Sequence, residues 1–299
     1  RVHTFALTII IFSIFTGACA FADNVMHLNI LRFLAGLGLG GEYGIGMTLV
    51  TETWPAAKRA RATAGVAMGW QAGAVLAAIL AAVVLPDYGW RGLFLVGVIP
   101  ALLAAWARHG LKEPPMWLKR KELKKQLKER KAAGETLTAE EEAELAEASK
   151  FPLAHLFSSS SKTMTTISLT VMTSVQNFGY YGIMVWLPMI LLKEHGLSTK
   201  SMSGWMVVTV IGMIAGIYVF GYLSDRFGRK KPYLLFYVCA AAMVYVYVNL
   251  GTPLLLLFGG AMLGFFCNGM MAGYGTLLSE NYTTDARSTA QNFIFNTGR

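Results

Sequence analysis

Charge is what this chain has least of. Asp, Glu, Lys and Arg make up 14% of its 299 residues, against about 25% in soluble domains. Apolar types reach 55%, with a mean hydropathy of +0.48. A soluble protein of this length has no use for so much apolar surface. Cysteine is scarce too: the three present, Cys19, Cys239 and Cys267, all lie inside apolar runs. They form neither a disulfide framework nor a metal spacing, and are read as small packing residues. Histidines His3, His109, His155 and His195 fall at span ends or in loops, and His27 near the start of a span. No Ser–His–Asp constellation, metal-ligand spacing or glycine-rich phosphate loop is found. An enzyme is therefore not expected, and neither is a metal or a cofactor. A secretory leader, with its basic start, short apolar core and cleavage site, is missing as well.

Cations outnumber anions, 26 Lys and Arg against 17 Asp and Glu, for a net charge of +9. They do not spread over one soluble face as a nucleic-acid surface requires. They gather in a few loops, as in a membrane protein. A spanning helix needs about 20 mostly apolar residues. Eight complete spans are expected, at 3–22, 26–50, 62–85, 91–109, 164–192, 202–222, 233–250 and 253–278, with a ninth starting near Ser288. Glycines inside them, such as Gly36, Gly38, Gly40, Gly41, Gly44 and Gly46, let helix backbones approach closely.

Orientation follows from the cations. Alternate loops carry Lys58, Arg59, Arg61, the 108–162 segment, Arg226 to Lys231 and Arg287 on one side. The other side holds only Arg91, Lys193 and Lys200. The first side is expected to be cytoplasmic. The one long polar stretch, Lys112 to Lys162, has a basic helical half (Lys119–Lys131) and an acidic half (Thr138–Ser149), separated by Gly134. Thr138 and Glu141 are spaced as a capping box. This stretch reads as surface helices bridging two membrane bundles; a dock for acidic headgroups or a protein is the other reading.

The most informative stretch is Gly221-Tyr222-Leu223-Ser224-Asp225-Arg226-Phe227-Gly228-Arg229-Lys230-Lys231, a short cationic turn between two long apolar runs. Its pattern, G-x-L-x-D-R-x-G-R-K-K, resembles the signature loop of the major facilitator superfamily of secondary transporters. On the expected fourth helix, R-x-x-x-G-x-G-x-G is matched by Arg32, Gly36, Gly38 and Gly40. The run from Gly40 to Gly44, G-G-E-Y-G, is similar to the sialate and lactate proton-symporter branch. Lys112 to Leu118 resembles the P-E-S-P-x-W-L element of sugar and metabolite porters, with Pro115-Met116 as a departure.

An internal repeat points to two halves. Gly36 to Glu52 and Gly264 to Glu280 end alike, in T-L-V-T-E and T-L-L-S-E. Each is followed by an aromatic, Trp54 or Tyr282, and then by an R-x-T-A run from Arg61 or Arg287. Arg1 also falls where Lys231 falls in the second half. The chain starts without Met and stops a few residues into an apolar segment, so it is read as an internal fragment lacking the first two helices and the last. The expected fold is all-α: a polytopic membrane protein of two pseudo-symmetric helical bundles, part of a 12-helix transporter. The expected domains are residues 1–110 (helices 3–6), linker helices over 111–162, and residues 163–299 (helices 7–10 and the start of 11).

The resemblance implies a carrier, and some residues stand out for its chemistry. Glu42 lies inside an apolar span, where an ionised carboxylate is costly and a neutral one can exchange protons near neutral pH. It is read as the proton-coupling site, against a structural carboxylate or one facing the cytoplasmic vestibule. Arg32, roughly 15 Å away along the same helix, is read as a partner of the proton site or of a substrate carboxylate, with helix packing as the other reading. Gln176, Asn177, Tyr180 and Tyr181 offer amides and flat hydroxyl-bearing rings to a polar substrate; Gln71 and Asn268 join them. The alternative for the amides is hydrogen bonding between helices.

By the same resemblance a cytoplasmic gate is expected: Asp225 meets the N-terminus of a neighbouring helix or the arginine pair, Arg226 and Arg229 clamp acids such as Glu280, Glu52 and Arg61 form the matching pair in the other half, and Arg287 joins the set. The alternative is positive-inside topology alone. The function implied is proton-coupled uptake of a small organic acid or related metabolite by alternating access, in the inner membrane of a bacterium. A sugar or polyol porter, a drug-type proton antiporter and a non-transporting sensor are the other readings. The expected partners are a small polar or anionic substrate, protons and the lipid bilayer, for a monomer that binds no nucleic acid.

Overall fold

The structure, a computed structural model, describes residues 1–101, 110–194 and 199–299. Among the described residues all regular elements are helices. They are α1 (Val2–Ala18), α2 (Val25–Thr53), α3 (Arg59–Val96), α4 (Pro115–Ala132), α5 (Ala139–Ser149), α6 (Ser160–Tyr181), α7 (Leu187–Glu194), α8 (Thr199–Phe227), α9 (Lys230–Val248), α10 (Pro253–Gly269), α11 (Met271–Asn281) and α12 (Arg287–Gly298). Seven helical runs among the described residues are long and apolar enough to cross a membrane. Their outward side chains include Leu7, Ile14, Phe33, Val83, Tyr245 and Val248, which suits a hydrocarbon environment better than water.

The expected spans 62–85 and 91–109 meet at a sharp kink. Helix α3 continues past Pro86, but Gly89, at φ +62° and ψ −170°, is non-helical and breaks it into two helical pieces. Proline removes a backbone donor and glycine tolerates a positive φ, so the chain changes direction there within a few residues. The second half of the expected 91–109 span, His109 and His195 lie outside the described residues.

The packing divides the chain into two compact units: residues 1–53, 75–167 and 278–296, and residues 54–74, 168–277 and 297–299. In the first, α1 and α2 are in direct backbone contact. A Cβ on Gly38 would stand 2.6 Å from the Phe12 nitrogen and 2.7 Å from the Thr8 carbonyl oxygen. The linker helices belong to this unit. Their capping box forms: Glu141 N–H donates to Thr138 Oγ1 at 3.2 Å, and Thr138 N–H to Glu141 Oε2 at 2.9 Å. Gly134 makes the turn between them at a φ of +79°. Arg120 reaches from α4 to Glu144 on α5 and to Asp285 Oδ2 at 2.8 Å, tying both helices to the segment before α12.

The second unit is organised by α8 against α10. A Cβ on Gly212 or Gly216 would come within 2.2 or 2.1 Å of the Ala261 or Phe265 carbonyl oxygen. Small residues thus permit backbone contact where lipid gives no hydrophobic drive. Around this seam lie buried Trp205, Met213, Leu256 and Leu263. The Trp205 indole N–H is shared between Tyr247 Oη at 2.9 Å and the Leu256 carbonyl at 3.2 Å, so its one donor is satisfied. A π turn, Gly182–Trp186, joins α6 to α7, a local widening frequent near functional sites.

Candidate functional site

The first unit holds Arg32, Glu42, Glu52, Glu280 and Arg287. Glu52 ends α2 with a side chain that is 0% exposed, and receives Arg287 Nη1 at 2.8 Å and Arg1 Nη2 at 3.1 Å. Arg287 also donates from Nε to the Ser279 carbonyl at 2.9 Å. Beside the pair, Thr51 and Ser279 share a hydrogen bond of 2.8 Å, and Gln291 donates to Ser279 Oγ at 2.7 Å. Burial makes this cluster dependent on being complete, because losing one partner strands a charge away from water. Glu280 is exposed on α11.

Glu42 is half-buried within α2 and, among the described residues, has neither an ion-pair nor a hydrogen-bond partner. Its neighbours are gripped by α12. Asn292 accepts the Gly44 N–H at 2.9 Å and donates to the Gly41 carbonyl at 3.2 Å, and Asn296 donates to the Gly40 carbonyl at 2.8 Å. Tyr43 stacks on Phe295 with ring centres 4.0 Å apart. Arg32 is exposed, its guanidinium carbon 5.9 Å from the centre of the Phe94 ring, and does not meet Glu42.

The second unit holds Arg61, Gln71, Gln176, Asn177, Tyr180, Tyr181, Asp225, Arg226, Arg229 and Asn268. Asp225, with a side chain 4% exposed, sits on the first turn of α3. It accepts the Ala60 N–H at 2.9 Å, the Arg61 N–H at 3.1 Å and Arg61 Nε at 3.1 Å. A carboxylate there meets both unpaired backbone donors and the positive end of the helix dipole. Arg229 Nη1 approaches the same carboxylate at 3.5 Å and donates to the Ser224 carbonyl at 3.0 Å. Arg226 lies on Phe227 at 5.4 Å and 3.4 Å from Tyr222 Oη. Glu52 and Arg61, expected to pair with each other, are engaged instead by Arg1 and Arg287 and by Asp225. The reason is local: Asp225 already reads the main chain at Arg61, so that guanidinium needs only to fold over.

The amides are buried and under-used. Gln71, Gln176 and Asn268 are each at most 2% exposed, and among the described residues Gln71 Oε1, Gln176 Oε1 and Asn268 Nδ2 have no hydrogen-bond partner. Gln176 reaches the Cys267 carbonyl at 3.5 Å, which brings it beside Asn268 on the facing helix. Asn177 donates to Thr173 on its own helix at 2.9 Å. Unsatisfied buried amide atoms are uncommon in folded proteins, and Gln176 and Asn268 lie side by side here.

Tyr180 and Tyr181 meet edge to face at 5.4 Å. Trp70 Nε1 is 3.4 Å from Tyr180 Oη. The sequence reading passed over Trp70 as a site residue, and with it Asn292, Asn296 and Arg299.

Comparison with known proteins agrees with this architecture. The family model of the Major Facilitator Superfamily matches residues 1–299. A putative metabolite transport protein of Haemophilus influenzae is 45% identical over 299 residues, all of this chain and 70% of the relative. The cis,cis-muconate transport protein of Acinetobacter baylyi is 29% identical over 299 residues, all of this chain and 68% of the relative. The solved structure of the proton:xylose symporter XylE superimposes with a TM-score of 0.70 at 18% identity, over 100% of this chain and 70% of that one. That likeness speaks to the fold. The chain belongs to the major facilitator superfamily, a family of multi-pass membrane transporters.

Proposed function

We propose that this transporter takes up a small organic acid together with protons, by alternating access, as a monomer in the inner membrane of a bacterium. Glu42 is the observation that carries the proton half. It is a carboxyl inside an apolar span that pairs with no cation among the described residues, and the cost of a lone charge at that depth favours protonation. The acid half rests on the relative named for muconate transport and on the buried amide atoms of Gln71, Gln176 and Asn268 that have no partner among the described residues.

The two ion-pair clusters serve as the cytoplasmic gate. Glu52 with Arg287, and Asp225 with Arg61, each join a helix before the linker to one after it. In this reading residues 1–110 and 163–299 act as the two rocking bundles and 111–162 as their tether. The clusters must part when the cytoplasmic side opens and re-form when it closes.

The test is uptake by the full-length protein in proteoliposomes under an inward proton gradient. Labelled benzoate, lactate and xylose are offered in parallel. Gradient-driven accumulation of an acid, abolished by a protonophore, supports the reading. Accumulation of xylose alone contradicts it.

A further inference from the structure

We infer that Arg299, with Trp70, Tyr180 and Tyr181, forms a carboxylate-binding site for a planar, conjugated acid. This deepens the organic-acid reading above and rests on it. The guanidinium carbon of Arg299 lies 4.5 Å from the centre of the Trp70 ring, and its Nε donates to Tyr181 Oη at 3.2 Å. A guanidinium has five N–H donors in a fixed fork. Among the described residues one is spent, and no carboxylate pairs with Arg299. A cation held by a ring face keeps its fork free for a bidentate acid.

Depth supports a guest rather than a structural role. Trp70 and Tyr181, the residues that Arg299 touches, lie well inside the apolar runs Ala56–Val96 and Ser160–Lys193. Ionisable side chains at such depth mark substrate and ion pathways.

The walls set the class of acid. Trp70 and Tyr181 remain 39% and 36% exposed, so their flat surfaces are open. Aromatic faces stack on a conjugated plane and gain less from a puckered ring. A carboxylate anchored on Arg299 extends its plane against these rings.

The experiment uses the full-length protein in nanodiscs with three probes: benzoate, cyclohexanecarboxylate and benzamide. Benzoate is expected to bind at least about tenfold more tightly than benzamide, which lacks the charge-assisted contact, and about tenfold more tightly than cyclohexanecarboxylate, which keeps the charge but not the flat conjugated face. Arg299→Gln is expected to lower benzoate affinity by about tenfold or more and to leave benzamide binding unchanged. Trp70→Leu is expected to bring benzoate and cyclohexanecarboxylate within about threefold of each other. The comparison of probes on the unsubstituted protein stands even if a variant does not fold. Equal affinity for benzoate and cyclohexanecarboxylate, or full benzoate affinity in Arg299→Gln, overturns the site. Either result together with proton-driven lactate accumulation leaves the organic-acid reading in place. Xylose binding with no carboxylate bound overturns both.

Discussion

Asn292 grips the main chain of α2 at Gly44. Its side-chain oxygen accepts the Gly44 N–H at 2.9 Å, and its amide donates to the Gly41 carbonyl at 3.2 Å. Glu42 lies between these two glycines, so the turn that carries it is clamped by α12.

The clamp leaves no room for a side chain at Gly44. A Cβ there would stand 2.3 Å from Asn292 Oδ1, whereas one on Gly36 meets nothing within 4 Å. Gly44→Ala is expected to destabilise the purified protein by about 1–3 kcal/mol, the usual cost of overpacking. Gly36→Ala is expected to leave the melting temperature unchanged or slightly raised. Equal melting temperatures for the two variants would remove the clamp from the account.

Topology is tested by cysteine accessibility in a protein lacking Cys19, Cys239 and Cys267. Ser160 and Lys230 are exposed, and cysteines there are expected to react only from the cytoplasmic side. Asp23 and Thr252, also exposed, are expected to react only from outside. Ser224 sits inside the charged loop but is 1% exposed, so a cysteine there is expected to react slowly from either side. Ser198 lies outside the described residues. Labelling of Lys230→Cys and Asp23→Cys from one face would contradict the orientation.

Asp225→Asn keeps the shape of the side chain but replaces one acceptor with a donor. Both Asp225 oxygens accept N–H groups from the start of α3, so one contact becomes repulsive and a buried donor goes unpaired, at about 1–3 kcal/mol. Uptake by the reconstituted variant is expected to fall at least about tenfold with insertion preserved. An unchanged rate would reduce the loop to a topology signal.

The linker has its own pH signature. Glu147 is held below the ordinary carboxylate value, chiefly by its hydrogen bond from Lys150 at 2.6 Å; burial opposes this, and His155 Nδ1 at 3.0 Å adds to it. A depressed carboxylate contributes stability above its unfolded pKa of about 4.3, which is lost as pH falls through the lower folded value. Amide-exchange protection over 139–157 is therefore expected to hold through mildly acidic pH and to drop only below about pH 4. Glu147→Gln is expected to remove that acid transition. A variant with the unchanged protein's acid profile would show that Glu147 does not anchor the linker.

Much of the fold was legible in the sequence, because apolar length and loop charge are sequence quantities. The Thr138–Glu141 capping box was legible for the same reason, its geometry being local. The break at Gly89 was legible as a boundary between the spans 62–85 and 91–109, but not as so tight a kink. The partners of Glu52 and Arg61 were not legible: two acids and several arginines near the helix ends admit several pairings, and only the approach of α8 to the start of α3 selects Asp225 for Arg61. Asn292 and Asn296 went unnoticed because a polar residue in a helix says nothing of the backbone it faces. Arg299 was passed over because it stands alone, without a motif around it.

The central claim is that Glu42 carries the coupled proton, and Glu42→Gln tests it most directly. A neutral amide mimics the permanently protonated acid. Reconstituted Glu42→Gln protein is expected to exchange labelled for unlabelled substrate at a rate close to that of the unsubstituted protein. It is also expected to lose gradient-driven accumulation, and the pH dependence of substrate binding should flatten, because binding and protonation are linked through this one group. Proton-driven accumulation at the unsubstituted level in Glu42→Gln would contradict the account and return Glu42 to a structural role.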